Sequence, residues 1–227
     1  MTIQAVQALT SRQKITSQLV TMGLKVDKAV EQAIAALLNS RTHAPAGLME
    51  NAVAIQELEL ALDQSVFAAL ESGELPASEV RLATSVVNIS KDLARLGRLA
   101  ANLGRKVSQA GEHHECEDFS RLQPLAIAVS HLCRKTLQSL TRLDPVLARN
   151  AAGSTSVDAY RDYVFRGLRG AAPAVSDAQS VHLIYASRCL EQIADYAVDL
   201  AENLVVFLGS GPCPRDARPE PRPQMAS

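Results

Sequence analysis

The chain has 227 residues, 23 Lys and Arg against 24 Asp and Glu for a formal net charge of −1, and it is 47% hydrophobic and 21% charged. That is an ordinary globular balance with enough chain for a sizeable core, and it excludes a disordered chain or a strongly basic nucleic-acid binder. Trp is absent and aromatics are only 4%. The lack argues against a β-sandwich or barrel, whose strands favour aromatic and β-branched residues, and for helices, which need no such supply.

Proline breaks helices by removing a hydrogen bond and clashing with the preceding turn. Pro45, Pro76, Pro124, Pro145 and Pro173 therefore cut the body into six segments, while Pro212, Pro214, Pro219, Pro221 and Pro223 crowd the end. Segment one, about 13–39, has apolar residues at Ile15, Leu19, Met22, Val26, Val30, Ile34 and Leu37, the stripe of an amphipathic helix. Segment two, about 48–70, continues through Ile55, Leu58, Leu62 and Phe67 to stop signals at Gly73 and Pro76. Segment three, 76–107, lines up Val80, Val87, Leu93, Leu96, Ala100 and Leu103. The polar run SQAGEHHECEDFS, 108–120, reads as a joint between two halves. Segment four covers about 122–142. Asp144 before Pro145 is a helix start, a capping acceptor followed by proline at the first helical position. Segment five breaks at NAAGSTS and resumes through Val157, Val164 and Leu168. Segment six opens after Pro173 with Ser176 and Gln179 as a capping box and runs to about Leu208. The Pro/Arg-rich remainder, 211–227, has nothing to bury and reads as a disordered tail.

Sliding segment six onto segment three by 97 positions aligns Pro76 with Pro173, Leu93 with Leu190, Leu96 with Ile193, Gly97 with Ala194, Ala100 with Ala197 and Leu103 with Leu200. The expected fold is therefore all-α, with two pseudo-symmetric three-helix bundles at 1–107 and 121–210, each burying its stripes against its own partners. No apolar run has the ~18–20 residues of a membrane span and no signal-peptide pattern opens the chain, so a cytoplasmic protein is expected. Cys116, Cys133, Cys189 and Cys213 form no CxxC pair, which favours reduced structural thiols over a disulfide framework or zinc knuckle.

Segment six carries an acidic ladder, Glu191, Asp195, Asp199 and Glu202, at steps of four, four and three on one helix face. Like charges at that spacing cost roughly 0.2–0.5 kcal/mol per pair, so a cation, or arginines from a neighbouring element, would be expected to offset them. A plain solvated acidic face is the alternative.

The stretch LEQIADYAVDLAENLV resembles the closing signature of the PhoU family of phosphate-signalling proteins. In order before it, QLVTMGLKVDKAVEQAIAAL, AIQELELALDQSV, LPASEVRLATSVVNISKDLARLGRLAANL and VDAYRDYVFRGL fit the same family, so that the resemblance covers about 15–209. It implies a cytoplasmic homo-oligomer, a homodimer or larger. It also implies a non-enzymatic negative regulator of phosphate uptake, acting between a phosphate ABC transporter ATPase and a sensor histidine kinase. Some members of the family carry iron or similar clusters on paired E(D)xxxD motifs. By that resemblance the second repeat keeps Glu191 and Asp195, with Asp199 assisting, and Asp158 of a companion motif whose other position is Ser154. A divalent or ferric ion is the implied cofactor there. The first repeat has lost the site: Ala94 and Arg98 stand where acids would be, Ala52 and Gln56 fill the companion motif, and Arg105 replaces the final acid. An arginine in place of a carboxylate repels a cation, and Arg98 with Arg105 reads either as a basic contact surface or as plain surface residues of a decayed site.

Other chemistry is disfavoured. The run His113, His114, Glu115, Cys116, Glu117 and Asp118 reads as a solvated linker, since adjacent residues do not preorganise a metal site. His131 and His182 lack a catalytic partner at a fitting spacing, Gly97 and Gly104 belong to no phosphate loop and suggest close helix packing, and no Glu-x-x-His pair marks a di-iron bundle. The expected function is thus a signalling adaptor. A helical metal-binding protein and a purely structural oligomerising bundle are the alternatives.

Overall fold

The apolar stripes that fall within the described residues fold as α-helices in the computed structural model, which describes residues 3–38, 47–71, 77–112, 119–154 and 177–209. The helices are α1 (Ile3–Leu38), α2 (Leu48–Glu71), α3 (Ala77–Glu112), α4 (Gln123–Thr141), α5 (Pro145–Ala152) and α6 (Asp177–Phe207), with a 3₁₀ turn at Phe119–Leu122 before α4. Helices α1, α2 and α3 pack on one another, as do α4, α5 and α6, giving two three-helix bundles. The resumption of segment five, the Ser176 capping box and the 211–227 tail lie outside the described residues.

The repeat read at an offset of 97 positions is carried by the core. Leu93 and Leu190, Leu96 and Ile193, Ala100 and Ala197, and Leu103 and Leu200 are all fully buried, pair by pair. Truncating any of the leucines to Ala would cost about 2–5 kcal/mol. Gly97 has a packing role: a Cβ there would lie 2.8 Å from Ile55 Cδ1 of α2, so an alanine would require the tip of that side chain to shift.

The bundles are not separate bodies joined by a linker. Helix α1 also packs on α4, and α3 on α6, so one apolar cluster runs through both. The register of these contacts gives the direction of the helices. A Cβ on Gly23 would meet Leu140 at 2.8 Å, while Glu31 lies 3.4 Å from Arg134, so α1 and α4 are antiparallel. Thr136 Oγ1 donates to the Ala197 carbonyl at 3.2 Å, tying α4 to α6 where both are buried. The expectation that each bundle buries its stripes only internally fails because the long helices present a second apolar or small-residue face.

Three other expectations change. Helix α1 begins at Ile3 rather than near residue 13, and α3 runs 36 residues to Glu112, taking in the first five residues of the expected joint. No proline interrupts either extension. Phe67 is not in the core but 60% exposed, and Val66 is the buried residue. Steps of three and four from Ile55 through Leu58, Leu62 and Val66 keep to one face, whereas Phe67 falls five residues after Leu62 and rotates outward.

The α4–α5 junction follows local rules. Asp144 Oδ1 accepts from the Val146 and Leu147 amides at 2.8 and 3.1 Å, the cap read from the sequence. Helix α4 ends in a Schellman motif: the Asp144 amide reaches the Ser139 carbonyl at 2.9 Å and the Leu143 amide reaches the Leu140 carbonyl at 3.2 Å. Leu143 occupies the left-handed position that glycine usually fills, at φ 52°.

Candidate functional site

The stripe of α3 places Ile89, Leu93 and Leu96 in the core, and Asp92, between them in sequence, is carried toward α6. Asp92 is a buried carboxylate. Asn203 Nδ2 of α6 donates to its Oδ2 at 2.8 Å, and Arg95 Nη1 lies 3.5 Å from its Oδ1. The Arg95 guanidinium also stacks over the Tyr196 ring of α6, 5.2 Å from its centre, and Lys106 Nζ lies 5.7 Å from the centre of the Tyr185 ring. As residue numbers on α3 rise, those of their partners on α6 fall, so the two long helices are antiparallel. The same register joins the two bundles by polar contacts along one seam.

A groove of about 630 Å³ opens on this seam, lined by Asn88, Lys91, Asp92 and Arg95 of α3 and Asp199, Glu202, Asn203 and Val206 of α6. Three carboxylates thus meet two cations in a partly dry setting. Burial is the main influence on Asp92 and pushes its pKa up to about 6. The Asn203 hydrogen bond and Arg95 pull it down, the Asp199 charge pushes it further up, and burial prevails.

The sequence-predicted ladder divides across this surface. Asp199 lines the groove, Glu202 is buried beside it, Asp195 is exposed and Glu191 is half-buried one turn further away. Among the described residues, no group of three or more His, Cys, Asp or Glu side chains comes together in a way that could hold a metal ion. Asp158 lies outside the described residues, and Ser154 closes the turn after α5, donating its amide to the Ala151 carbonyl at 3.1 Å. The first repeat does not fit a metal. Ala52 and Ala94 are buried methyls, and Arg98 reaches across to α2, 4.0 Å from Glu59. Arg105 is exposed on α3 on the same side.

Asp92, Arg95 and Asn203 were not singled out by sequence reasoning. The available signal was a carboxylate one residue before Leu93, inside the apolar run of α3, since Asp is almost never fully buried without partners. Of the other candidates, Cys133 and Cys189 are buried free thiols, and burial pushes the Cys133 thiol up to about 12, which makes it inert. His131 is exposed on α4 and His182 is half-buried on α6. The 113–118 run, Cys116 and Cys213 lie outside the described residues. No helix among the described residues is long and apolar enough to cross a membrane.

Comparison with known proteins places this architecture. Residues 19–107 match the family model of the PhoU domain. The phosphate-specific transport system accessory protein PhoU homologues of Pseudomonas putida and Pseudomonas aeruginosa are each 27% identical to the chain. The first match covers 88% of this chain and 79% of the relative, the second 87% and 83%. The crystal structure of PhoU from Pseudomonas aeruginosa superposes with a TM-score of 0.79 at 26% identity, over 88% of this chain and 97% of that one. The phosphate transport system regulatory protein PhoU from Streptococcus pneumoniae shares the fold, with a TM-score of 0.75 at 19% identity, over 90% of this chain and 97% of that one. The matched domain runs from within α1 to the last turns of α3, and the likeness to PhoU proteins extends over most of this chain and nearly the whole of the solved relatives.

Proposed function

We propose that this chain is a non-enzymatic regulator of phosphate uptake and phosphate-starvation signalling, working as an adaptor between a phosphate ABC transporter ATPase and a sensor histidine kinase and restraining the response when phosphate is ample. The observation that carries this reading is the likeness, along most of both chains, to proteins named as accessory proteins of the phosphate-specific transport system. An adaptor of this kind acts by preferring one transporter conformation and passing that preference to the kinase. The outward side of α3 supports a contact role: Arg81, Lys91, Arg95, Arg98 and Arg105 are exposed at helical spacing, with no exposed acid between them. Such a row attracts carboxylates on a partner or on a second copy in a homodimer. Co-purification of the full chain with the organism's phosphate-transporter ATPase tests the reading directly. Retention that is lost on reversing Arg98 and Arg105 to Glu supports it, and no retention in any nucleotide state contradicts it.

For the second repeat we propose an iron or other divalent or trivalent cation on Glu191, Asp195 and Asp158, with Asp199 assisting. Oxygen ligands of this type suit a hard cation, and binding one would relieve the repulsion along α6. The ion would bridge carboxylates of α6 and would perform no catalytic step.

A further inference from the structure

Helix α2 turns an apolar line away from its own bundle. Met49, Val53, Leu60 and Phe67 are 53%, 52%, 64% and 60% exposed, although the inner face of the same helix buries Leu48, Ile55, Leu62 and Val66. Scattered exposed apolar residues are ordinary, but these are ordered. Val53, Leu60 and Phe67 recur every seven residues with Met49 one turn before, a seam roughly 27 Å long at 1.5 Å per residue. Phe67 is one of only four phenylalanines in the chain.

The charges beside this seam are of one sign. Helix α2 holds Glu50, Glu57, Glu59, Asp63 and Glu71 and no Lys, Arg or His. Glu59 is engaged by Arg98, 4.0 Å away, whereas Glu50, Glu57 and Glu71 are exposed along the apolar line. We infer that the outer face of α2 is a docking surface for a basic amphipathic helix of another protein, one with an apolar line flanked by Lys or Arg. A helix laid along α2 would match the seven-residue spacing, and its cations would meet the carboxylate row. A second copy of this chain fits less well. Pairing α2 with α2 sets acid against acid. Pairing it with the outer face of α3 supplies cations but no apolar line, because Thr84, Asn88 and Lys91 stand between Arg81 and Arg95.

The inference deepens the adaptor reading, which supplies the reason for a docking surface, yet the two can fail separately. The probe is a fluorescein-labelled peptide of Leu and Lys in amphipathic-helix order, titrated with the full chain and followed by anisotropy. A scrambled peptide of the same composition and a Leu/Glu peptide of the same pattern are the controls. The patterned basic peptide is expected to bind at least ten-fold tighter than the scrambled one. Leu60→Ser with Phe67→Ser should weaken it ten-fold or more, and Glu57→Lys with Glu71→Lys should do the same while flattening its salt dependence. The altered side chains are exposed, so circular dichroism and thermal unfolding should match the unaltered chain. Equal binding of the scrambled peptide, preference for the Leu/Glu peptide, or indifference to the substitutions overturns the inference. So does a dimer by light scattering that Leu60→Ser with Phe67→Ser converts to monomer, which would make the occupant a second copy. Loss of the peptide result leaves phosphate control by the chain intact, and loss of phosphate control leaves the peptide result intact.

Discussion

Asn203 of α6 donates its side-chain amide to the buried carboxylate of Asp92 on α3 at 2.8 Å, a direct side-chain hydrogen bond between the two bundles across their antiparallel long helices. It lies among the charges of the seam groove and ties the stability of that joint to pH.

The pKa of Asp92 is raised from 3.8 to about 6, chiefly by burial. The folded state therefore holds a proton that the unfolded chain has already released between these two values. The stability from that proton is full below the unfolded pKa and is lost as pH rises through about 6. Asp27 of α1 is raised for the same leading reason, against the pull of Arg134, and adds in the same direction. Urea unfolding at pH 5 and pH 7.5 should show a smaller loss of stability on raising the pH in Asp92→Asn than in the unaltered chain. Asn203→Ala removes a bond that favours the charged form. It should cost about 1.5–3 kcal/mol at pH 7.5, where Asp92 is ionised, and about 1 kcal/mol at pH 5. Equal losses at both pH values would mean that Asp92 does not titrate between them.

The α4–α5 turn offers a stabilising change beside a destabilising one. Leu143 sits at φ 52°, a conformation that costs an L-residue roughly 1–2 kcal/mol and glycine almost nothing. It is 44% exposed, so only part of a leucine's burial is lost on removing its side chain. Leu143→Gly should raise stability by about 0.5–1 kcal/mol after the added freedom of the unfolded chain is counted. Asp144→Ala, which removes the acceptor for the Val146 and Leu147 amides, should lower it by about 1 kcal/mol. Thermal unfolding of the two variants checks both signs.

Elemental analysis of protein purified without chelator tests the proposed cation on the second repeat. The proposal expects a metal that disappears in the double variant Glu191→Gln with Asp195→Asn and persists when Arg98 is changed to Ala. Metal-free protein would leave the acidic ladder as a charged surface alone.

Much of the fold was legible because its signals are local. Proline positions and apolar steps of three and four gave the helices, and the offset of 97 positions paired Leu93 with Leu190 and Leu103 with Leu200, all fully buried. The differences in packing share a physical cause: a stripe read along one helix does not say what faces its other side. Phe67 was drawn into the α2 stripe when Val66 completes it, and the second faces by which α1 meets α4 and α3 meets α6 went unseen. The site was less legible for the same reason. The ladder of α6 was visible from its spacing, but its meeting with Asp92 depends on the antiparallel register of two helices about a hundred residues apart. Asp199 is drawn to the seam by that register, while Asp195 is left exposed.

The central claim is that this chain restrains the response to phosphate limitation, and deletion of its gene tests it most directly. In phosphate-rich medium the account predicts that the deletion strain produces alkaline phosphatase as if starved and takes up phosphate without restraint, and that the unaltered chain supplied in trans restores control. Alkaline phosphatase output and phosphate uptake that are unchanged by the deletion would contradict the account.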